Sequence, residues 1–297
     1  MDNMNDNLIT VRDALEYAAD ALREEGMDTP MLDARILLSR AMGKDMLYLV
    51  THENTALSDE EAARFNRSMT ERLAHRPVAY ITGTKEFYGL DFRVTEGVLI
   101  PRPDTETAVE AVLERADRYA GQVKILDLCC GSGAIGLSVA KNLPESYVTL
   151  SDISRSAVDI TVLNASLLKV ENCEIIQSDL FEDLTPKNYD IIVSNPPYVS
   201  GDEMGALSAD IALWEPREAL YGGTDGLSFY RQIIAEAPGM FRNRGTLIME
   251  IGYGQDGDVR KLLEDGGFEN ISFRADLAGI PRVVTAEHSG TSRGELL

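Results

Sequence analysis

Lys124-Ile125-Leu126-Asp127-Leu128-Cys129-Cys130-Gly131-Ser132-Gly133 decides how this chain folds. An apolar run of strand length ends beside an acid, turns through two glycines and enters a helical pattern. Glycine lets the backbone turn sharply and approach a ligand closely. Gly131-Ser132-Gly133-Ala134-Ile135-Gly136 also matches the dinucleotide fingerprint, which alone is a weak signal because a purely structural loop matches it too. The next strand candidate ends at Asp152, where a carboxylate can take both hydroxyls of a ribose. Strand, glycine loop, helix, strand and acid together imply an adenosine-type cofactor.

Outward from this unit, strand candidates recur at 124–128, 147–151, 174–177, 190–194 and 246–250, with helical stretches between most of them. That alternation predicts an α/β fold with a parallel sheet. Two last candidates, 271–275 and 282–286, are joined by a loop too short for a parallel crossover, so an antiparallel pair is expected. Before the sheet, Val11, Ala14, Leu15, Ala18, Ala19 and Leu22 recur with helical spacing and Gly26 follows as a stop. A second helix is expected from Met31 to Met42, ended by Gly43. Ser58-Asp59-Glu60-Glu61 reads as a capping box opening a third, through Ala74. The runs 78–83 and 90–94 alternate apolar and polar around Gly83 and Gly89, which predicts a hairpin joining two domains. Residues 287–297 read as a frayed tail.

The 297 residues exceed the usual size of one domain, and 44% hydrophobic content supplies ample core. A net charge of −21 argues against a partner bound mainly through phosphates. No apolar run is long enough to span a bilayer. Residues 1–10 are polar and acidic, unlike a secretory signal, so a cytoplasmic protein is expected. Three cysteines, with Cys129 and Cys130 adjacent, make no disulfide framework, and His52, His75 and His288 lie far from them in sequence, so no metal site is expected.

Asn195-Pro196-Pro197-Tyr198 follows the fourth strand candidate. By itself it reads equally as a turn ending a strand. Beside an adenosine pocket it describes a way to hold a flat amino group. The Asn195 side-chain carbonyl and the Pro196 backbone carbonyl are two acceptors for the two donors of an NH2. Pro196 and Pro197 fix their own φ and restrict the residue before each. Tyr198 offers a ring to lie against a planar group. Asp127 would repel a pyrophosphate but suits the ammonium of a methionyl group, and Asp179 is placed to face the base or ribose edge. All these positions fall at the carboxyl ends of parallel strands, where open α/β sheets bind ligands. S-adenosylmethionine beside an amino-group clamp reads as N-methyl transfer.

With these residues in view, the sequence resembles the release factor glutamine N5-methyltransferase family from about Ala14 to Ala286. The resemblance rests on Tyr80-Ile81-Thr82-Gly83, Glu86-Phe87-Tyr88-Gly89-Leu90, Leu99-Ile100-Pro101-Arg102-Pro103-Asp104-Thr105-Glu106 and Asn195-Pro196-Pro197-Tyr198. Glu215-Pro216-Arg217-Glu218-Ala219-Leu220, Gly222-Gly223-Thr224-Asp225-Gly226-Leu227 and Glu250-Ile251-Gly252 complete it. Asn-Pro-Pro-Tyr is shared with adenine and cytosine amino-methyltransferases; the segments around Arg102 and Pro216 are more specific. The resemblance implies a seven-stranded, Rossmann-like S-adenosylmethionine-dependent methyltransferase domain at 99–297. It also implies a connecting β-hairpin at 77–98 and a small N-terminal helical, substrate-recognition domain at 1–76. The implied substrate is the glutamine of the Gly-Gly-Gln loop of peptide chain release factors, with S-adenosylhomocysteine as the product. By position, Cys129, Cys130, Gly131, Ser132, Gly133, Asp152, Leu180 and Asn195 would contact the cofactor, and Asn195, Pro196, Pro197 and Tyr198 would hold the glutamine amide. The family pattern has glycine where Cys129 stands; a small cysteine fits there if its φ is negative. A monomer is expected, without direct nucleic-acid or membrane binding.

Other readings stay open at this stage. A nucleic-acid adenine-N6 or cytosine-N4 methyltransferase would use the same clamp, against the net charge and the lack of a basic recognition region. A nicotinamide oxidoreductase leaves Asp127 and Asn-Pro-Pro-Tyr without a role, and a non-catalytic binding protein leaves the intact clamp unused. Glu215-Pro216-Arg217 lies on a long segment that either shapes the substrate entrance or is tied down by an internal salt bridge, with Trp214 as packing.

Overall fold

The computed structural model describes residues 9–289 except 187 and 277, so the frayed tail expected beyond 289 and the polar start, residues 1–8, lie outside the described residues. The chain divides into two units: one takes the chain up to Gly83 together with Ala209–Trp214, the other Thr84–Ser208 and the chain from Glu215 onward.

The first unit is helical: α1 (Val11–Glu24), α2 (Pro30–Met42), α3 (Met46–Thr51), α4 (Asp59–Leu73) and α5 (Val78–Thr82). Thr10 and Asp13 form a capping box at the start of α1, and Ser58 and Glu61 form the expected one at α4. Gly43 ends α2 at φ 63°, in the left-handed region where a side chain is costly. The apolar stripe of α1 packs against Leu37, Leu38, Leu49 and Phe65. Arg72 is buried there and donates to Asp33 at 2.8 Å.

The strand expected at 78–83 is instead α5. Pro77 precedes its first turn, Val78 and Ile81 turn onto the helical core, and Thr82 Oγ1 donates back to the Val78 carbonyl at 3.0 Å. Five residues are too few for apolar spacing to tell strand from helix. The hairpin therefore starts later, as β1 (Thr84–Phe87) and β2 (Leu90–Arg93). Its two-residue turn, Tyr88-Gly89, has φ of 53° and 72°, the positive pair a type I′ turn requires.

The second unit continues with α6 (Glu106–Ala116), β3 (Lys124–Leu128), α7 (Ala134–Asn142), β4 (Tyr147–Asp152), α8 (Arg155–Leu168), β5 (Cys173–Gln177) and β6 (Tyr189–Ser194). After the short α9 (Ala209–Trp214), which belongs to the first unit, come α10 (Ser228–Met240), β7 (Phe241–Glu250), α11 (Asp256–Asp265), β8 (Glu269–Ala275) and β9 (Pro281–His288). The seven-stranded sheet runs in the order β5-β4-β3-β6-β7-β9-β8. It is parallel from β5 to β7, while β9 lies antiparallel between β7 and β8, the expected final pair. Glu287 and His288 belong to β9 rather than to a frayed tail.

Strands β3 and β6 occupy the middle, and β6 is buried along its whole length, as a parallel strand covered on both faces must be. On one face Ile125, Leu137, Val148 and Leu150 pack with Val109 and Val112 of α6. On the other, Leu126 and Leu128 pack with Tyr230 and Ile233 of α10 and Leu263 of α11. Truncating one of these large side chains to alanine costs about 2–5 kcal/mol. The strand order reverses between β3 and β6, because β3 leads outward to β4 and β6 leads the other way to β7. Such a switch point opens a crevice at the carboxyl ends. There Leu128 pairs with Ser194, so the glycine loop and Asn195 leave the sheet from adjacent strands, and Ser194 Oγ donates to the Leu128 carbonyl at 2.7 Å.

Candidate active site

The crevice holds a cavity of about 970 Å³. Cys129, Cys130, Gly131 and Ser132 line it after β3, Asp152 and Ile153 after β4, Asp179 and Leu180 after β5, and Asn195 and Pro197 after β6. Val98, Leu99, Arg102, Thr105, Pro216 and Arg217 contribute further wall. Four segments far apart in sequence are thus brought together as expected. Asp127, Gly133, Pro196 and Tyr198 are not among the lining residues.

The loop owes its shape to backbone conformation. Cys129, Gly131 and Gly133 all have positive φ, at 61°, 56° and 79°. The cysteine therefore does not meet the negative-φ condition stated for it. A left-handed conformation costs an L-residue roughly 1–2 kcal/mol, and it is held here by the loop's own bonds. Cys130 N–H donates to the Ser151 carbonyl at 3.0 Å, Thr161 Oγ1 to the Gly131 carbonyl at 2.9 Å, and Asn164 Nδ2 to the Ser132 carbonyl at 2.9 Å. Burial pushes both thiols up, so Cys129 and Cys130 stay protonated and are poor nucleophiles.

Each glycine answers a different need. A Cβ on Gly133 would lie 2.8 Å from Thr161 Cγ2, and one on Gly136 would lie 2.6 Å from Leu150 Cδ2. A Cβ on Gly131 would meet no protein atom, so the room it would fill is left to the cavity.

Asp152 keeps its carboxylate at the cavity by accepting from Gly131 N–H and Ser154 N–H, each at 2.9 Å. Burial pushes its pKa up while those two bonds pull it back. Two lone-pair directions remain for a diol. Ile153 beside it is 59% exposed, an apolar side chain left open on the cavity wall. Asp127 is placed differently from its expected position against a ligand. It is fully buried, accepts from Gly136 N–H at 2.7 Å through Oδ2, and its Oδ1 has no partner among the described residues. Burial raises its pKa to about 7.

Around Asn195 the structure adds groups to which the sequence assigned no individual role. Asn195 Nδ2 donates to Thr105 Oγ1 at 3.4 Å; Thr105 Oγ1 donates to Glu250 Oε2 at 2.6 Å; Tyr198 OH donates to Glu250 Oε1 at 3.1 Å. Tyr198 is thus held by its hydroxyl, and burial raises the pKa of both Tyr198 and Glu250. Gln255 Nε2 donates to the Tyr198 carbonyl at 3.0 Å. Gly222 also abuts this turn, since a Cβ on it would lie 2.7 Å from the Pro197 carbonyl oxygen. Besides its place in the Glu250-Ile251-Gly252 segment, the sequence signal for Glu250 was an acid ending an apolar strand, the same position that Asp152 occupies on β4.

The Glu215 segment carries an internal salt bridge and also borders the cavity. Glu215 is buried, pairs with Arg102 and accepts from Ile100 N–H at 3.4 Å, while Pro216 and Arg217 line the cavity. Arg217 lies 4.8 Å above the Tyr221 ring. In the helical unit Trp214 packs under Arg76 and donates Nε1–H to the Ala74 carbonyl at 3.1 Å. Among the described residues no group of His, Cys, Asp and Glu could hold a metal ion, and no helix is long and apolar enough to cross a membrane.

Two family models match the chain: the PrmC N-terminal domain over residues 13–83 and the methyltransferase small domain over residues 104–224. A release factor glutamine methyltransferase of Clostridium acetobutylicum is 40% identical, over 94% of this chain and 99% of its own length. One of Cereibacter sphaeroides is also 40% identical, over 92% of this chain and 97% of its own. Among solved structures, the hMettl16 catalytic domain in complex with the MAT2A 3'UTR hairpin 6 superposes with a TM-score of 0.56. It shares 13% identity over 82% of this chain and 87% of that one, a likeness of fold alone.

Proposed function

The chain belongs to the release factor glutamine methyltransferase family, and on that premise we propose that it methylates the side-chain amide nitrogen, N5, of the glutamine in the Gly-Gly-Gln loop of peptide chain release factors. It is an S-adenosylmethionine-dependent methyltransferase. The observation that carries the substrate reading is the position of Asn195, at the end of β6 in the same cavity as the Asp152 carboxylate of β4.

The residues present fit the cofactor. Asp152 offers acceptors for a ribose diol, Ile153 and Leu180 offer apolar surface for a purine, Asp179 an edge acceptor, and Gly131 leaves room where any other residue would project. Cys129, Cys130 and Ser132 complete the loop, with Gly133 setting its turn and Asp127 bracing Gly136 from behind. Bound there, S-adenosylmethionine supplies a methyl group activated by a positively charged sulfur.

The chain's own contribution is to orient a poor nucleophile. An amide lone pair is delocalised into its carbonyl. The Asn195 side-chain carbonyl and the Pro196 backbone carbonyl accept the two N–H bonds of the glutamine NH2 and aim its nitrogen. Pro197 and Tyr198 hold that turn rigid. As the nitrogen gains the methyl its N–H groups become more acidic, so both bonds strengthen in the transition state, stabilisation from dipoles already in place. The nitrogen then sheds one proton to water; a protonated amide is acidic enough to need no strong base. The helical unit is assigned to recognition of the release factor, and the enzyme is read as a cytoplasmic monomer that binds no nucleic acid directly.

Transfer of labelled methyl to a purified bacterial release factor tests this, with a Gln→Ala variant of its Gly-Gly-Gln loop as control. Label on the wild-type factor alone supports reaction and site together. Label on neither, with the cofactor shown to bind by calorimetry, breaks the substrate assignment.

A further inference from the structure

Asn195 presents two ends of nearly equal shape, an oxygen that accepts and a nitrogen that donates. Only the oxygen suits an incoming NH2. With the amide reversed, donors would face donors and the clamp would repel its substrate, so something must choose the orientation.

The groups behind Asn195 make that choice. Glu250 ends β7 with 3% exposure, and both of its oxygens are engaged, by Thr105 and by Tyr198. Thr105 and Tyr198 each donate to one of its oxygens, so the Thr105 hydroxyl hydrogen points along the 2.6 Å bond to Glu250. Thr105 then has only lone pairs to offer Asn195, which meets them with Nδ2 at 3.4 Å. The direction runs one way, from Asn195 N–H to Thr105 O–H to the Glu250 carboxylate, with Tyr198 O–H converging on the same anchor. The Asn195 oxygen is the end left over.

Resting on the reading of Asn195 as an amide clamp, we infer that Thr105 and Glu250 are positioning residues that set the polarity of Asn195 and so make the site select an amino donor. Neither needs to touch the reacting nitrogen.

Thr105→Val removes the hydroxyl at nearly constant shape, and Thr105→Ser keeps it. Steady-state methyl transfer to the release factor and calorimetric S-adenosylmethionine binding are measured for both. Thr105→Val should lower kcat about 10- to 100-fold, the range expected for unmatched donors, with cofactor Kd within about threefold of wild type. Thr105→Ser should recover most of the rate. Equal rates for the two variants, or a Thr105→Val defect that follows cofactor affinity, overturns the inference.

A second arm isolates polarity. Asn195→Asp gives residue 195 two accepting oxygens and no orientation to choose, so adding Thr105→Val to it should cost nothing further. A merely structural role for Thr105 would cost the same in both backgrounds. If Asn195→Asp is too slow to follow, the comparison of valine with serine decides alone. Label transfer by the wild type in the same assay separates the two readings: without it the substrate assignment fails, whereas with it only the polarity inference is at stake.

Discussion

Gly226 leaves no room for a side chain against Tyr198: a Cβ there would lie 2.5 Å from the Tyr198 carbonyl oxygen, and the Gly226 φ is 73°. That carbonyl also accepts from Gln255 Nε2, so the turn holding Asn195 is pinned by a glycine on one side and an amide on the other. Gly226→Ala must displace backbone. Turnover should fall at least about tenfold, since misplacement of about 1 Å at a reacting centre can cost a hundredfold. Cofactor affinity should stay close to wild type, and label transfer with calorimetry checks both.

On the proposed clamp, Asn195→Ala removes one of the two acceptors assigned to the glutamine amide. By comparison with the loss of one preorganised hydrogen-bond partner in other enzymes, kcat should drop about 100- to 1000-fold. Equal losses in kcat and in cofactor binding would contradict the clamp.

Cys129→Gly relieves a left-handed residue. The gain of about 1–2 kcal/mol is partly offset by about 0.4–1 kcal/mol of added unfolded-state entropy. Thermal melting should rise slightly, by a few degrees at most. Cys129→Val, β-branched at a φ of 61°, should melt well below wild type. Melting curves with and without S-adenosylmethionine separate fold from loop effects.

Asp127 gives a pH signature. Its folded pKa of about 7 lies above the ordinary 3.8, so the folded chain binds this proton more tightly than the unfolded chain. The stabilising contribution is complete below about 3.8 and is lost as pH rises through about 7. The full swing is on the order of 4 kcal/mol at about 1.4 kcal/mol per unit. Asp127→Asn should melt with a flatter dependence on pH between 5 and 8 than wild type. Parallel curves for the two proteins would refute it.

Central strands were legible because parallel strands covered on both faces need continuous apolar runs, which Ile191, Ile192 and Val193 supply. The glycine loop and Asp152 were legible because their spacing follows from one βαβ unit. Val78–Thr82 was not, since a single turn carries too few residues to show a period. The φ of Cys129 was not, since its neighbours impose it through bonds to Ser151, Thr161 and Asn164. Thr105, Asn195 and Glu250 sit on three elements that meet only through the order of β3, β6 and β7, so no local pattern could mark them as a chain of hydrogen bonds.

Ala209–Trp214 belongs to the helical unit although the chain on both sides of it belongs to the other. Asp210 within it reaches Arg72 at 2.9 Å and His75 at 3.1 Å. On the ribosome, therefore, the first unit to emerge cannot be finished first. Arg72 must wait for its second carboxylate until β3 to β6 have already been synthesised. A gene fragment stopping at Gly83 would encode a bundle one helix short, so the two units form an order of assembly rather than two separable parcels.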